Sequence, residues 1–282
     1  MTTPSAGFDQ RRFKSIEKNG FNRIAQRYAD SAHLRAGLQQ ALLELAAPAP
    51  GERVLDLAAG PSLLARDALP RVAPGGWVVA SDIAESMLRV GLDAARAEGQ
   101  PSLLAASCDA EHLAFAEDSF DLVLVGLGLF ILPSPERALA EVLRVLRPGG
   151  RLVLSVWGPR EAVPLIACAQ ACIARLLPPP KVERPSVFRL GQPEALAPLI
   201  ASAGFTRVQI QGFSFENRFA QAQDYWQAFL DLAGGATEAL SRLPTDTRES
   251  LRTGVATELQ PYQTEEGYQM RSQVLLAQAW KP

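Results

Sequence analysis

Between residues 51 and 157 the chain alternates five short, almost uninterrupted apolar runs with segments of helical periodicity, and few architectures accommodate that alternation. The runs are Arg53–Leu57, Trp77–Ser81, Leu103–Ser107, Phe120–Val125 and Arg151–Val156, each rich in Val, Leu or Ala rather than alternating apolar with polar. Strands of that kind are shielded on both faces, the condition of a mostly parallel α/β sheet with helices above and below it. The segments between them carry the complementary period. In Pro135–Leu146, Leu139, Val142, Leu143 and Leu146 fall at i, i+3, i+4 and i+7, one face of a helix. Ser134 and Pro135 suit the start of that helix, Arg144 and Arg147 suit its end, and Pro148-Gly149-Gly150 turns the chain into the next strand. Another helix begins near Glu85 and stops at Gly99-Gln100-Pro101.

Three regions follow from this reading. Residues 1–50 form an N-terminal helical cap, with a helix starting at Asp30-Ser31 and running to about Ala46. Residues 51–157 form the α/β core. Residues 158–282 supply lid helices and two closing strands that suit an antiparallel hairpin on the sheet edge. Their expected elements are a helix at Val163–Leu177 ended by Pro178-Pro179-Pro180, a helix near Pro193–Ala203 closed by Gly204, and strands at Thr206–Gln211 and Tyr268–Trp280.

Composition serves to exclude. With 28 Lys+Arg against 30 Asp+Glu the net charge is −2, leaving no basic surplus for duplex nucleic acid. The longest apolar run, Leu122–Leu132, is far short of a membrane span. Arg11, Arg12, Lys14, Glu17 and Lys18 stand where a secretory signal would be apolar, and three cysteines without framework spacing favour a reducing interior. A cytoplasmic location is therefore expected. Cys168 and Cys172 are spaced i, i+4 with no further ligand nearby, so they read as small core residues and no metal is expected.

Chemistry concentrates where strands end. In Val54-Leu55-Asp56-Leu57-Ala58-Ala59-Gly60-Pro61-Ser62 a buried strand ends in an acid, and a loop of small residues leads into a helix. Such a loop lets a ligand approach the backbone and the free N–H groups of the helix. Dinucleotide enzymes place a pyrophosphate there, but Asp56 would repel phosphate and favour an ammonium. Asp82, followed by Ile83, ends the second run about 20–26 residues after the loop, where a carboxylate takes both ribose hydroxyls. Its competing role is a helix N-cap. Asp109 follows the third run; its carboxylate and the Ala110 N–H together match an adenine edge. Three acids ending three successive strands converge on one crevice, and they point to an adenosine ligand without phosphate.

Here the sequence resembles the class I S-adenosylmethionine-dependent methyltransferases of the ubiquinone/menaquinone-methylase type. The matching stretches are Phe21-Asn22-Arg23-Ile24-Ala25-Gln26-Arg27-Tyr28, Val54–Gly60, Ser81-Asp82-Ile83, Asp109-Ala110-Glu111, Ser119–Val123 and Leu143–Val156, within roughly residues 20–157. The resemblance implies a Rossmann-like seven-stranded sheet with one antiparallel strand, and S-adenosylmethionine as cofactor. It places Asp56 and Gly60 at the methionine side, with Ala58 of the same loop also at the cofactor, Asp82 at the ribose, and Asp109 and Ala110 at the adenine, whose ring Ile83 is placed to sandwich. Gly126 and Leu127 then sit near the sulfonium, with Tyr28 closing the pocket and Met87 beside it. The departures are Ala58 and Ser62, where the family pattern commonly has glycine.

Methyl transfer from a sulfonium needs alignment and exclusion of water rather than a metal or a covalent nucleophile. If a base is used, His33 in the cap is the candidate, against the competing reading of an exposed helix position. Trp157, Phe213, Tyr225 and Trp226, with Phe215, Phe219 and Phe229 nearby, either line an acceptor pocket or form the core beneath the lid. The expected acceptor is an aromatic, quinone-like or natural-product small molecule methylated on oxygen or carbon. The competitors are a cyclising enzyme that binds the cofactor without methyl transfer and a carrier-protein malonyl-thioester O-methyltransferase. A nucleic-acid partner is not expected, and a homodimer is left open.

Overall fold

The computed structural model describes residues 8–35, 37–179 and 184–282; residues 1–7 of the expected cap, Ala36 within it, and Pro180 of the expected proline stop lie outside them. The strands β1 (Arg53–Leu57), β2 (Trp77–Asp82), β3 (Leu104–Ser107), β4 (Phe120–Gly126) and β5 (Leu146–Trp157) pair in parallel in the order β3-β2-β1-β4-β5. β6 (Thr206–Phe219), the two-residue β7 (Gln263–Thr264) and β8 (Gly267–Trp280) complete the sheet. β8 runs antiparallel to β5 and carries β6 on its far side, so seven strands lie in the order β3-β2-β1-β4-β5-β8-β6 with β7 paired alongside β8. The chain winds outward from β1 to β3 and then returns to start β4 beside β1. That reversal opens a crevice at the carboxyl ends of β1 and β4, the place where ligands bind in open α/β sheets.

The helices are α1 (Gln10–Asp30), α2 (Leu38–Ala46), α3 (Leu63–Val72), α4 (Glu85–Ala97), α5 (Pro135–Val145), α6 (Pro164–Leu176), α7 (Pro193–Ser202), α8 (Ala222–Leu232), α9 (Gly234–Leu240), α10 (Thr245–Gly254) and α11 (Ala256–Leu259). Right-handed crossovers place α3 and α4 on one face and α5 on the other, which explains the continuous apolar runs. Leu122, Val123, Leu124 and Val125 are all 1% exposed or less. The edge strand β3 is the exception, with Leu104 51% exposed. Among the described residues no helix is long and apolar enough to cross a membrane.

Three local expectations need correction. Asp30-Ser31 closes a helix rather than opening one: the Ser31 N–H donates to the Ala29 and Arg27 carbonyls, and its hydroxyl donates to the Tyr28 carbonyl at 2.8 Å. A 3-10 segment, Ser31–Arg35, then leads to Gly37 at φ 80°, after which α2 begins. Ser and Asp hydrogen-bond local backbone at either kind of boundary, so their type did not fix the direction. Next, Pro148-Gly149-Gly150 is a bulge inside β5, because the register jumps from Phe120↔Leu146 to Leu122↔Arg151. The bulge is held from afar: the Gly149 N–H donates to the Lys281 carbonyl, and the Lys281 N–H to that of Gly150. Last, Ser134 occupies the N-cap position of α5 without a side-chain cap, while its backbone N–H donates to Glu111 Oε1 at 2.9 Å.

What positions the site is α1. It packs along α4 and α9, and the α9 contact is backbone against backbone: a Cβ on Gly20 would lie 2.1 Å from the Gly234 carbonyl oxygen. The Ser86 N–H at the start of α4 donates to Asn22 Oδ1 at 2.8 Å, and Lys14 reaches Asp109. The helix thus crosses the carboxyl ends of the sheet.

Candidate active site

Asp56 ends β1 only 1% exposed. Its Oδ2 accepts the Ala65 N–H at 3.0 Å from the first turn of α3, whereas Oδ1 has no partner among the described residues. Burial, with the Asp82 charge nearby, pushes this carboxyl up to about 8. An orphaned buried carboxylate oxygen is costly unless a ligand completes it.

The loop above it is built from left-handed residues: Ala58 at φ 53°, Gly60 at φ 53° and Ser62 at φ 58°. The Gly60 N–H donates to Asp82 Oδ2 at 2.9 Å, and the Ala84 N–H donates to Asp82 Oδ1 at 2.8 Å. Asp82 therefore ties the loop after β1 to the start of α4, and burial raises its pKa. Asp82 is not the N-cap of α4, a position that Ala84 occupies without a side-chain cap; it holds the backbone N–H of that residue instead, and each oxygen keeps a lone pair to spare. Ser62, the glycine departure, does not crowd the crevice. Its buried hydroxyl lies against α4, where a Cβ on Gly91 would come within 2.5 Å of Ser62 Oγ. Glycine at 91 makes the room that serine at 62 takes.

Beyond β3, Asp109 Oδ1 accepts the Glu111 N–H at 3.0 Å, and Oδ2 takes Lys14 Nζ at 2.6 Å; the same ammonium lies 2.9 Å from Glu111 Oε2. The parallel register sets Asp56 beside Ala80 and Asp82 beside Ser107, so the three acids follow the ends of three neighbouring strands.

Next to the loop lies a small crevice that opens to solvent. Tyr28, Ala58, Gly60, Gly126 and Leu127 line it as expected, together with Arg35, Gln39, Leu64 and Ser155, which the sequence reading did not single out. The Leu127 N–H donates to the carbonyl and hydroxyl oxygens of Ser155 at 3.1 and 3.0 Å. Tyr28 stands edge-on to Phe21, its ring 3.7 Å from where a Cβ on Gly60 would be. Ile83 is half-buried behind Asp82, and Ala110 is buried beside Asp109. Met87 is buried with Ile24, Ala25 and Ala84, with Tyr28 packed against that cluster.

Other candidates fall elsewhere. His33 is exposed and absent from the crevice wall, with Nδ1 3.1 Å from the Asp30 carbonyl. Of the aromatic quartet none lines the crevice. Tyr225 is 0% exposed, its hydroxyl accepting the Ala169 N–H at 2.8 Å and donating to the Pro164 carbonyl at 3.3 Å. Trp226 is buried against Phe229, and Trp157 against Phe215. Phe213 is half-buried near Gly37. Tyr225 and Trp226 are thus core of the C-terminal helices, the reason being that burying rings and satisfying a phenol both favour the packed interior. Cys168 and Cys172 are likewise buried and pushed up to about 11, inert thiols.

Residues 17–178 match the ubiE/COQ5 methyltransferase family. Over 150 residues the chain is 38% identical to the ubiquinone/menaquinone biosynthesis C-methyltransferase UbiE of Cupriavidus pinatubonensis, covering 50% of this chain and 61% of that protein. The chain thus spans about 61% of the length of such curated relatives. Among solved structures, phosphoethanolamine N-methyltransferase 2 of Haemonchus contortus, in complex with phosphomonomethylethanolamine and S-adenosylhomocysteine, aligns at TM-score 0.56 and 19% identity over 88% of this chain and 53% of that one. The cyclase SpnF aligns at TM-score 0.55 and 18% identity over 87% and 80%. At these identities the structural likeness establishes the fold.

Proposed function

The chain belongs to the ubiE/COQ5 methyltransferase family of S-adenosylmethionine-dependent enzymes, and from that premise we propose that it methylates a carbon of an aromatic, quinone-like small molecule. The observation that carries the reading is the orphaned Oδ1 of Asp56, buried beneath a left-handed loop and followed by acids at the next two strand ends. A ligand with an ammonium and an adenosine, and no phosphate, suits that donor set. Asp56 would take the ammonium, Asp82 the ribose hydroxyls, and Asp109 with the Ala110 N–H the adenine edge. Bound there, S-adenosylmethionine supplies a methyl group already activated on a sulfonium.

The chain's own residues then have three tasks. The short side chains at Ala58, Gly60 and Gly126 let a ligand lie against the backbone at the strand ends. Leu38, Leu42, Leu64 and Leu127 give the crevice apolar walls that exclude water and accept a ring. α1, held by Asn22 and Lys14, keeps Tyr28 over the loop. Orientation of this kind can supply most of the acceleration of a methyl displacement.

The fold does not separate methyl transfer from cyclisation, since both a methyltransferase and a cyclase align with it. Products do. The purified protein is incubated with carbon-13-methyl S-adenosylmethionine and a set of alkyl hydroquinones, and the products are read by mass spectrometry and NMR. S-adenosylhomocysteine together with a labelled methyl at a ring-carbon shift is the expected result. A labelled methyl at an ether shift would contradict carbon transfer, and a rearranged acceptor without S-adenosylhomocysteine would contradict the reading as a whole.

A further inference from the structure

Arg35 is unusual among the arginines of this protein. It is 8% exposed, yet among the described residues no carboxylate lies within 4.0 Å of it. It is the one arginine among the described residues that is buried outright; of the partly shielded ones, Arg151 pairs with Glu52, Arg184 with Glu17 and Arg144 with Glu141, whereas Arg189 donates to the Phe130 and Leu132 carbonyls. A buried cation without a partner is costly, and natural proteins seldom keep one without a counter-charge. The guanidinium is placed mainly by stacking. Its carbon lies 4.3 Å from the centroid of the Tyr28 ring, one nitrogen is 3.3 Å from the Tyr28 carbonyl, and another is 3.5 Å from Ser31 Oγ. Those two long bonds go to neutral oxygens and occupy two of its five N–H groups.

Arg35 is one of the residues that line the crevice, together with Leu38, Leu42 and Leu127, where low dielectric strengthens attraction to a negative charge. Ser155 shares that wall; its oxygen accepts from Leu127, and its proton has no acceptor among the described residues. A planar cation, pre-set by stacking beside a largely apolar cleft, matches a carboxylate or an ionised hydroxyl in two-point geometry. We propose that Arg35 is an oxyanion-binding residue of the crevice, the missing counter-charge being supplied by a bound ligand. The inference rests on the crevice being the site assigned above. Two sources offer the same chemistry there: the amino-acid carboxylate of the cofactor, or an ionised oxygen on the acceptor.

Calorimetry with two matched probe pairs separates them. The first pair is S-adenosylhomocysteine and 5′-methylthioadenosine, which lacks the amino acid. The second is 2-naphthoate and its neutral isostere 2-naphthamide, titrated with and without S-adenosylhomocysteine. Wild-type protein, R35Q and R35K are compared, each checked for an unchanged thermal unfolding midpoint. R35Q is expected to lose about tenfold or more for the anionic member of one pair while its neutral partner is unchanged, with R35K retaining most of the affinity. Loss confined to the nucleoside pair assigns the cofactor's carboxylate; loss confined to the naphthyl pair assigns the acceptor. Equal losses for charged and neutral members, unchanged anion affinities in R35Q, or a wild-type protein that binds neither anion would overturn the proposal. Should wild-type protein fail to bind S-adenosylhomocysteine, the methyltransferase reading falls, while the naphthyl pair still decides the role of Arg35.

Discussion

Replacing Asp82 with alanine is expected to weaken S-adenosylhomocysteine binding by about 1–3 kcal/mol, roughly 5- to 150-fold, by loss of charge-assisted hydrogen bonds. Two effects add. The carboxylate that would take the ribose hydroxyls disappears. So does the acceptor for the Gly60 and Ala84 N–H groups, which leaves the left-handed loop after β1 untied from the start of α4. Asp82→Asn keeps one carbonyl oxygen and should lose less. Titration calorimetry reads the affinities, and the thermal midpoint separates loss of site from loss of fold. An Asp82→Ala protein that folds and binds with wild-type affinity would remove Asp82 from the site.

The second large effect is in pH. In the free protein burial raises the Asp56 carboxyl from its ordinary 3.8 to about 8, so it is neutral at pH 6 to 7. An ammonium delivered to its unpartnered oxygen favours the ionised form, and binding below pH 8 must therefore displace a proton. Affinity for S-adenosylhomocysteine is expected to rise about tenfold per pH unit well below pH 8, roughly 50-fold between pH 6 and pH 8, and then level off. Below pH 8, calorimetry in buffers of different ionisation enthalpy should show a proton released on binding. 5′-methylthioadenosine, with no amino group, should show neither slope nor release, and Asp56→Asn should abolish both. The same raised pKa means that the folded protein without ligand holds one more proton than the unfolded chain between about pH 4 and pH 8, so its stability falls as pH rises through that window. An affinity for S-adenosylhomocysteine that is flat with pH, or a slope shared by 5′-methylthioadenosine, would detach Asp56 from the ammonium.

Much of the sheet and of the loop after β1 was legible because both are written in contiguous residues. Apolar continuity marks strands covered on two faces, and an acid followed by small residues marks the place where a strand gives way to a helix. β1 was expected at the bounds it has, and β2 and β4 ran one residue longer. Arg35 was not legible, since nothing beside it in sequence signals the crevice that it lines. Lys14 lies 95 residues from its partner Asp109, and only the path of α1 across the strand ends brings them together. The aromatic residues after Phe213 were legible as buried but not as core or pocket wall. That distinction depends on the Ala169 N–H meeting the Tyr225 hydroxyl across 56 residues of chain. The Pro148-Gly149-Gly150 bulge failed for a similar reason, because the C-terminal residues that hold it are far away in sequence.

The same distance in sequence explains why the identity of the acceptor is the least legible feature. The walls of the crevice proposed to hold it come from α1, α2, the loop into α3 and the ends of β4 and β5, which no local pattern joins. The proposed cofactor contacts instead follow successive strands, each at the same point of a repeated unit.

A crystal structure of the protein grown with S-adenosylhomocysteine tests the central claim most directly. The expected density places the amino group against Asp56, the ribose against Asp82, the adenine at Asp109 and Ala110, and the sulfur facing the crevice beside Gly126 and Leu127. A nucleoside bound away from these strand ends, or seated with its amino group remote from Asp56, would contradict it.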